Sequence, residues 1–434
     1  MTFLLLCVYL LLTLLRPQDF LFGGEYFDLQ VILITLVFTL TSFVFDKKQK
    51  IISAPIITLL IMTVVIMISS AVNGWIGGMF TYSYKFISVA IIPFLLFSNT
   101  LNSITKHKII MFICITCALI MIHQGYSQIN AEDGYGWAGT KWVENKRITY
   151  LGTLNDPNDL GLFFVMTLPM IIYLYTISSL FKKIFWVAIL FTVFYGIYLT
   201  NSRGALLSTL SIGYLFGIQI IGLRKMLIFG IIALPILKFL MSNFRKIEQD
   251  ESANGRIDSW YEGFQMLKEH PFFGVGMESY TEYNELTAHN SYILVLGELG
   301  VFGFVTWSLF LMLLFVYLIN TIKNIKSTLD STLDSTDSTD DGSELRLYIT
   351  NELSIVYCSF YSMIAFVTGS FFLSRSYSFT LYIFSGIAFS SYLRLVERNP
   401  SFNITTNNYI FKLIGFSLLF IILLNLVIKI LLKI

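Results

Sequence analysis

The sequence predicts an all-α, polytopic integral membrane protein with roughly 12–13 transmembrane helices and one large loop on one face. Three observations carry this. Of 434 residues, 56% are hydrophobic and only 13% charged, where a soluble domain has about 25% charged. Mean hydropathy is +0.72. Apolar runs long enough to cross a bilayer recur along the whole chain. The net charge is only +2, so no basic surface points to nucleic acid.

Spanning runs are readable at 2–15, 28–45, 51–72, 82–98, 109–128, 159–180, 184–200, 205–222, 225–242, 290–320, 352–372, 378–395 and 410–432. The first has no basic n-region before it and no small-residue cleavage site after it, so it reads as a short span rather than a cleaved signal peptide. Cys7, Cys114, Cys117 and Cys358 all sit in apolar runs. Cys114 and Cys117 form a CxxC, but their surroundings make them small buried hydrophobes rather than a redox pair.

Orientation follows from basic residues on alternate connections: Lys47, Lys48 and Lys50; Lys106 and Lys108; Lys182 and Lys183; Arg224 and Lys225; Arg394 and Arg398. That face is expected to be cytoplasmic, with the N-terminus on it. Residues 129–158 then form one loop on the far face, and residues 243–289 form the large one. A low-complexity segment, residues 322–347, contains the Ser/Thr/Asp repeat from Ser327 to Asp341. It has almost nothing to bury and reads as a cytoplasmic linker whose removal costs little.

The far face breaks the charge rule. Lys141, Lys146, Arg147, Arg203, Arg256 and Arg375 lie there, several beside helix ends. Basic residues placed against the topological bias need a reason, and an anionic ligand supplies one. Arg203 and Arg256 suit a diphosphate, because a guanidinium binds phosphate oxygens bidentately and stays charged. The run from Ala253 to His270 is a predicted amphipathic helix with Ile257, Trp260, Tyr261, Phe264 and Leu267 on one stripe. Arg256 falls within about 40° of Trp260, at the edge of that stripe.

His289 closes the large loop, followed by Asn290 and Ser291 at the start of a long apolar helix. Imidazole titrates near neutrality, the property of a general base for a hydroxyl, while a cap for the next helix is the plainer reading. His107, His123 and His270 read as an interface residue, a helix-end residue and a helix terminator. Gly297, Gly300 and Gly303 recur every third residue, a spacing for close helix approach. Glu298 among them needs a partner, an arginine or the histidine region. Asn155-Asp156-Pro157 is a turn, with Asn158 or Asp159 capping the next helix. Asp156 and Asp159 lack the further carboxylates of a metal site. There is no P-loop, Rossmann glycine motif or zinc spacing, so neither cofactor nor metal is expected.

Read together, the motifs Arg147…Gly152…Asn155-Asp156-Pro157-Asn158, Ser202-Arg203-Gly204, Gly255-Arg256…Trp260, His270-Pro271-Phe272-Phe273-Gly274-Val275-Gly276 and His289-Asn290-Ser291…Glu298-Leu299-Gly300…Gly303 occur in order over residues 145–305. They resemble the O-antigen ligase/polymerase superfamily of bacterial envelope glycosyltransferases, which is similar to other lipid-linked-sugar transferases with a multi-helix (GT-C-like) membrane core. The resemblance implies an inner-membrane enzyme that takes a glycan from undecaprenyl diphosphate at the periplasmic face and passes it to a hydroxyl, without a nucleotide sugar or essential metal. It implies His289 as the catalytic residue, Arg203, Arg256 and Arg147 on the diphosphate, and Asn290, Glu298, Trp260 and Asn158 in support. The implied acceptor is a second lipid-linked repeat unit (polymerase), lipid A–core (ligase) or a protein Ser or Thr (O-oligosaccharyltransferase), and a chain-length regulator is an implied partner. Arg16-Pro17-Gln18-Asp19 resembles exopolysaccharide-type members and leans the reading to polymerase. A thirteenth span and the Ser/Thr/Asp repeat depart from the family pattern. From another class, a lipid-linked glycan flippase would require internal repeats and midplane cations. No repeat of halves is readable, and only Lys85 and Lys238 are placed for the latter.

Overall fold

The computed structural model describes residues 1–21, 28–46, 51–232, 249–334 and 340–432. Among them there is no β-strand beyond two isolated bridges, Tyr135 with Lys141 and Val143 with Arg147. The main helices are α1 (Thr2–Leu15), α2 (Asp28–Phe45), α3 (Ala54–Val72), α4 (Ile76–Thr100, with a π-turn before Pro93), α5 (Ile104–Asn130), α6 (Pro157–Thr176), α7 (Leu180–Thr200), α8 (Arg203–Ile221), α9 (Gln249–Glu269), α10 (Ser291–Asp334), α11 (Asp340–Gly369), α12 (Phe379–Arg398) and α13 (Asn407–Leu432). Ten helices among the described residues are long and apolar enough to cross a membrane, and α1 and the Gln30–Phe45 part of α2 are shorter apolar helices. The protein is therefore an all-α polytopic membrane protein. The predicted run 225–242 lies outside the described residues from position 233 onward, as do Lys238 and Lys47, Lys48 and Lys50.

Burial ranks the helices. In α6 and α12, 83% and 89% of the apolar window is buried, against 17% in α13. A helix apolar all round belongs in the centre, and α6 and α12 form the middle of the bundle. There α6 packs on α7 and α11, and α12 on the second half of α4. Cys114, Cys117 and Cys358 are buried and unbridged within this core.

The two ends of the bundle differ in charge chemistry. At one end Lys106 lies over the Phe3 ring, Lys108 over Tyr173, Lys183 over Tyr175 and Arg398 over Tyr348. These are residues of the lysine-rich connections, and they gather together. The same end holds a sealed ion pair. Arg394 donates from Nε and Nη2 to the two Glu352 oxygens, each at 2.7 Å, and from Nη1 to Leu101 O at 2.8 Å. His107, expected at an interface, is instead fully buried there, 3.2 Å from both Ser390 Oγ and Arg394. Its place is fixed by polar partners on α12 rather than by a water boundary. Removing one member of such a pair strands a buried charge, so Arg394→Ala should cost about 3–5 kcal/mol, read as a lowered unfolding temperature of the detergent-solubilised protein.

The Ser/Thr/Asp repeat is met partly as helix. α10 continues through Asp334 and α11 begins at Asp340, with residues 335–339 outside the description.

Candidate active site

The opposite end is organised by a break in α10. Gly300 has φ +63° and ψ −160°, outside helical space, so the turn around it cannot close its own hydrogen bonds. The loop after Pro271 supplies them. Val275 and Gly276 donate backbone N–H groups to Gly297 O and Glu298 O at 3.0 and 2.9 Å. Val301 and Phe302 in turn donate to Pro271 O and Phe272 O at 2.9 and 3.2 Å. Broken helices at membrane depth persist when protein satisfies the freed backbone groups, as here. Gly274, with φ +65°, faces the Glu298 backbone where a Cβ would collide. The expected close approach of helices is met at Gly297, which faces Met266 of α9 and the Tyr280 ring, but not at Gly300. Gly300 is the break itself, and the chain that approaches it is the Phe272–Phe273 backbone.

The amphipathic stripe of α9 packs on α10 and α13 rather than standing free. Phe264 and Met266 are buried, and Gly263 lets α9 approach Ile293 and the Tyr280 ring. The Tyr280 hydroxyl donates to Ser259 O. Trp260 Nε1 donates to Ala288 O at 2.9 Å, which fixes the chain one residue before His289.

His289 itself adopts a left-handed backbone, φ +46°, a conformation that non-glycine residues enter mainly at turns and functional sites. The cap is Asn290, whose Oδ1 accepts from Tyr292 N at 2.9 Å and Ile293 N at 3.2 Å. His289 is thereby released from capping. It lines a cavity of about 500 Å³ together with Asp156, Glu278, Glu298, Arg375 and Tyr377. Burial, and next the Arg256 guanidinium, push the imidazole below its ordinary value, with Asp156 pulling the other way. A lowered value favours the neutral, proton-accepting form at neutral pH.

The arginines separate into different roles. Arg203 is the first residue of α8, where Ser202 caps the helix by accepting from Ala205 N at 3.2 Å. The helix N-terminus adds its own positive end to that of the guanidinium. Arg256 is half-buried on α9, near enough to His289 to act on its charge. None of Arg147, Arg203 and Arg256 is among the residues that line the cavity, and Arg147 is in addition only 7% exposed. Its Nε donates to Thr200 O at 2.9 Å and its Nη2 to Asn158 Oδ1 at 2.8 Å. Asn158 Oδ1 also accepts from Ser202 Oγ at 2.9 Å. Arg147 and Asn158 therefore hold the turn that presents Arg203.

The buried Glu298 side chain lies beside Tyr377 and the backbone of Glu278 and Tyr280, on the wall of the cavity that His289 and Arg375 also line. Lys85 is committed to Glu278 across the cavity mouth, Nζ to Oε1 at 2.5 Å. Asp156 is the actual cap of α6, its Oδ1 accepting from Asn158 N at 2.7 Å. Asp159 pairs with Arg375, a residue that sequence reasoning noted as a far-side cation but did not place at the site. Its spacing from His289 gives no signal, because a whole span separates them. Among the described residues no three acidic, histidine or cysteine side chains gather as a metal site.

Residues 188–308 match the family model described as O-antigen ligase. This supports the superfamily read from the motifs, and the spanning helices make the chain a multi-pass membrane protein. No curated protein matches the chain. The O-antigen ligase match runs from α7 into α10 and contains Arg203, Arg256, His289 and Glu298, while Arg147, Asn158, Asp159 and Arg375 lie outside it.

Proposed function

We propose that this protein transfers a glycan from undecaprenyl diphosphate to an acceptor hydroxyl at the periplasmic face of the inner membrane. The observation that carries the reading is the placement of His289: a left-handed turn residue on a cavity wall, beside Arg256 and Arg375, at the end of the bundle remote from the lysine-rich connections. The family match supports the reaction class. In this reading neutral His289 takes the proton of the acceptor hydroxyl. That oxygen attacks the anomeric carbon from the side opposite the diphosphate, and the carbon–oxygen bond to the diphosphate breaks with its electron pair on the leaving group. Arg203 and Arg256 stabilise the departing charge, and the anomeric configuration inverts. Arg147 acts at one remove, by holding the Arg203 turn.

The pH profile follows from the imidazole. Protonated His289 cannot act as a base, and its proton affinity is lowered, so kcat/KM should stay level through neutral pH. It should fall only below the ordinary imidazole range near 6.5. Asp156 favours the protonated form, so Asp156→Asn should move the acid limb lower still. An acid limb above neutrality would contradict this assignment.

The acceptor is read from the surface-glycan profile of the source bacterium lacking the gene, with and without a plasmid-borne copy. Loss of long chains, with one repeat still attached to its anchor, identifies a polymerase, the reading to which Arg16-Pro17-Gln18-Asp19 leans. Complete loss of attached glycan with accumulating lipid-linked polymer identifies a ligase, and a glycoprotein losing its sugar identifies a protein O-oligosaccharyltransferase. No change in any glycan would overturn the transfer reading and favour a transporter.

A further inference from the structure

We propose that Arg375 is a contact for the donor's diphosphate, presented to the cavity by Asp159. The inference rests on the transfer reaction above and adds an anion-binding residue to that site. Arg375 donates from Nε to Asp159 Oδ1 at 2.7 Å and from Nη2 to Asp159 Oδ2. The bidentate pair uses two of five guanidinium N–H donors and leaves three for another partner.

Exposure separates this pair from a purely structural one. The Arg394–Glu352 pair at the other end of the bundle has side chains 2% and 0% exposed, and Leu101 O and Ser390 Oγ take further Arg394 donors. In the Arg375–Asp159 pair the Asp159 side chain is 7% exposed but the Arg375 side chain 35%, and Arg375 lines the same cavity as His289. Asp159 is the buried anchor, and Arg375 is the member of the pair that reaches the cavity.

The loop that carries Arg375 is fixed to the histidine motif. Arg375 N donates to Ser291 Oγ at 2.9 Å, Ser291 N to Ser370 O at 2.8 Å, and Ser376 Oγ to Ser291 O at 2.8 Å. Ser291 lies two residues after His289, so imidazole and guanidinium are held in one frame. Two other cations at this end are already committed, Lys85 to Glu278 and Arg147 to Thr200 O and Asn158. Preorganised donors of this kind suit a leaving group whose charge grows in the transition state.

The test is binding of undecaprenyl diphosphate, with undecaprenyl monophosphate as control, to the purified full-length protein, alongside transfer assays. Arg375→Gln should weaken diphosphate binding roughly tenfold to a hundredfold, the range of a lost charged hydrogen bond. Asp159→Asn should bind near the wild-type level, because the asparagine oxygen still accepts from Arg375 Nε while a competing anion has gone. The double variant, which leaves no stranded buried charge, should bind as weakly as Arg375→Gln. Diphosphate binding by Arg375→Gln at the wild-type level while Arg256→Ala loses it would overturn the assignment. So would equal losses in both single variants with recovery in the double one, the pattern of a structural pair. His289→Asn should keep diphosphate binding and lose transfer. Failure of the wild type to bind the diphosphate at all would overturn the transfer reading itself, and this inference with it.

Discussion

His289→Ala should lower glycan transfer by about 10²–10⁴-fold, the usual contribution of a positioned general base, while the protein still accumulates in the membrane. The structure explains why the loss should be selective. The chain around His289 is held by its neighbours: Trp260 fixes Ala288, Asn290 caps α10, and Ser291 is clamped to the 370–376 loop. The imidazole contributes to none of these. Alanine tolerates the left-handed φ poorly, whereas asparagine enters that region readily, so His289→Asn separates the chemistry from the turn. Both variants should lose transfer. Activity retained by asparagine would make His289 a positioning residue for the acceptor rather than a proton acceptor.

Arg203→Ala should lower kcat/KM for the lipid-linked donor by about 10²–10³-fold, in the range of a lost transition-state charge contact, again with protein still inserted. The start of α8 does not depend on the guanidinium. Ser202 caps it, and Gly161 and Gly204 allow α6 and Phe372 to pack close. Arg203→Lys should recover part of the loss, since charge returns without the bidentate fork. Arg147→Ala should behave differently and lower the amount of folded protein, because Thr200 O and Asn158 lose a buried partner. Equal folding defects in Arg147→Ala and Arg203→Ala would contradict the division of roles between them.

Much of the fold was legible because spanning helices are written locally, in runs of apolar residues closed by polar connections. Twelve of the predicted runs meet a helix in the structure, and the run 225–242 is described only in part. The site was legible where a motif is contiguous, as at His289-Asn290-Ser291 and Ser202-Arg203-Gly204. What was not legible is pairing across the bundle. Glycine every third residue reads the same whether it admits a neighbouring helix or breaks its own, and only the Pro271–Gly276 loop lying against α10 decides it. Arg147 and Arg375 look alike as far-side cations. Their roles separate because Asn158 and Thr200 O meet one and Asp159 meets the other, contacts between residues up to 216 positions apart. His107 read as an interface residue because its partners, Ser390 and Arg394, lie on a helix nearly three hundred residues away.

In the proposed reaction His289 serves to move a glycan off a polyprenyl diphosphate. The most direct measurement incubates the purified protein in lipid nanodiscs with the undecaprenyl-diphosphate-linked glycan of its source bacterium and quantifies released undecaprenyl diphosphate and the anomeric configuration of the product. Wild-type protein should release the diphosphate and give an inverted linkage in the product, and His289→Asn should abolish release. Release at the wild-type rate by His289→Asn, or a product that retains the donor's configuration, would contradict this reaction.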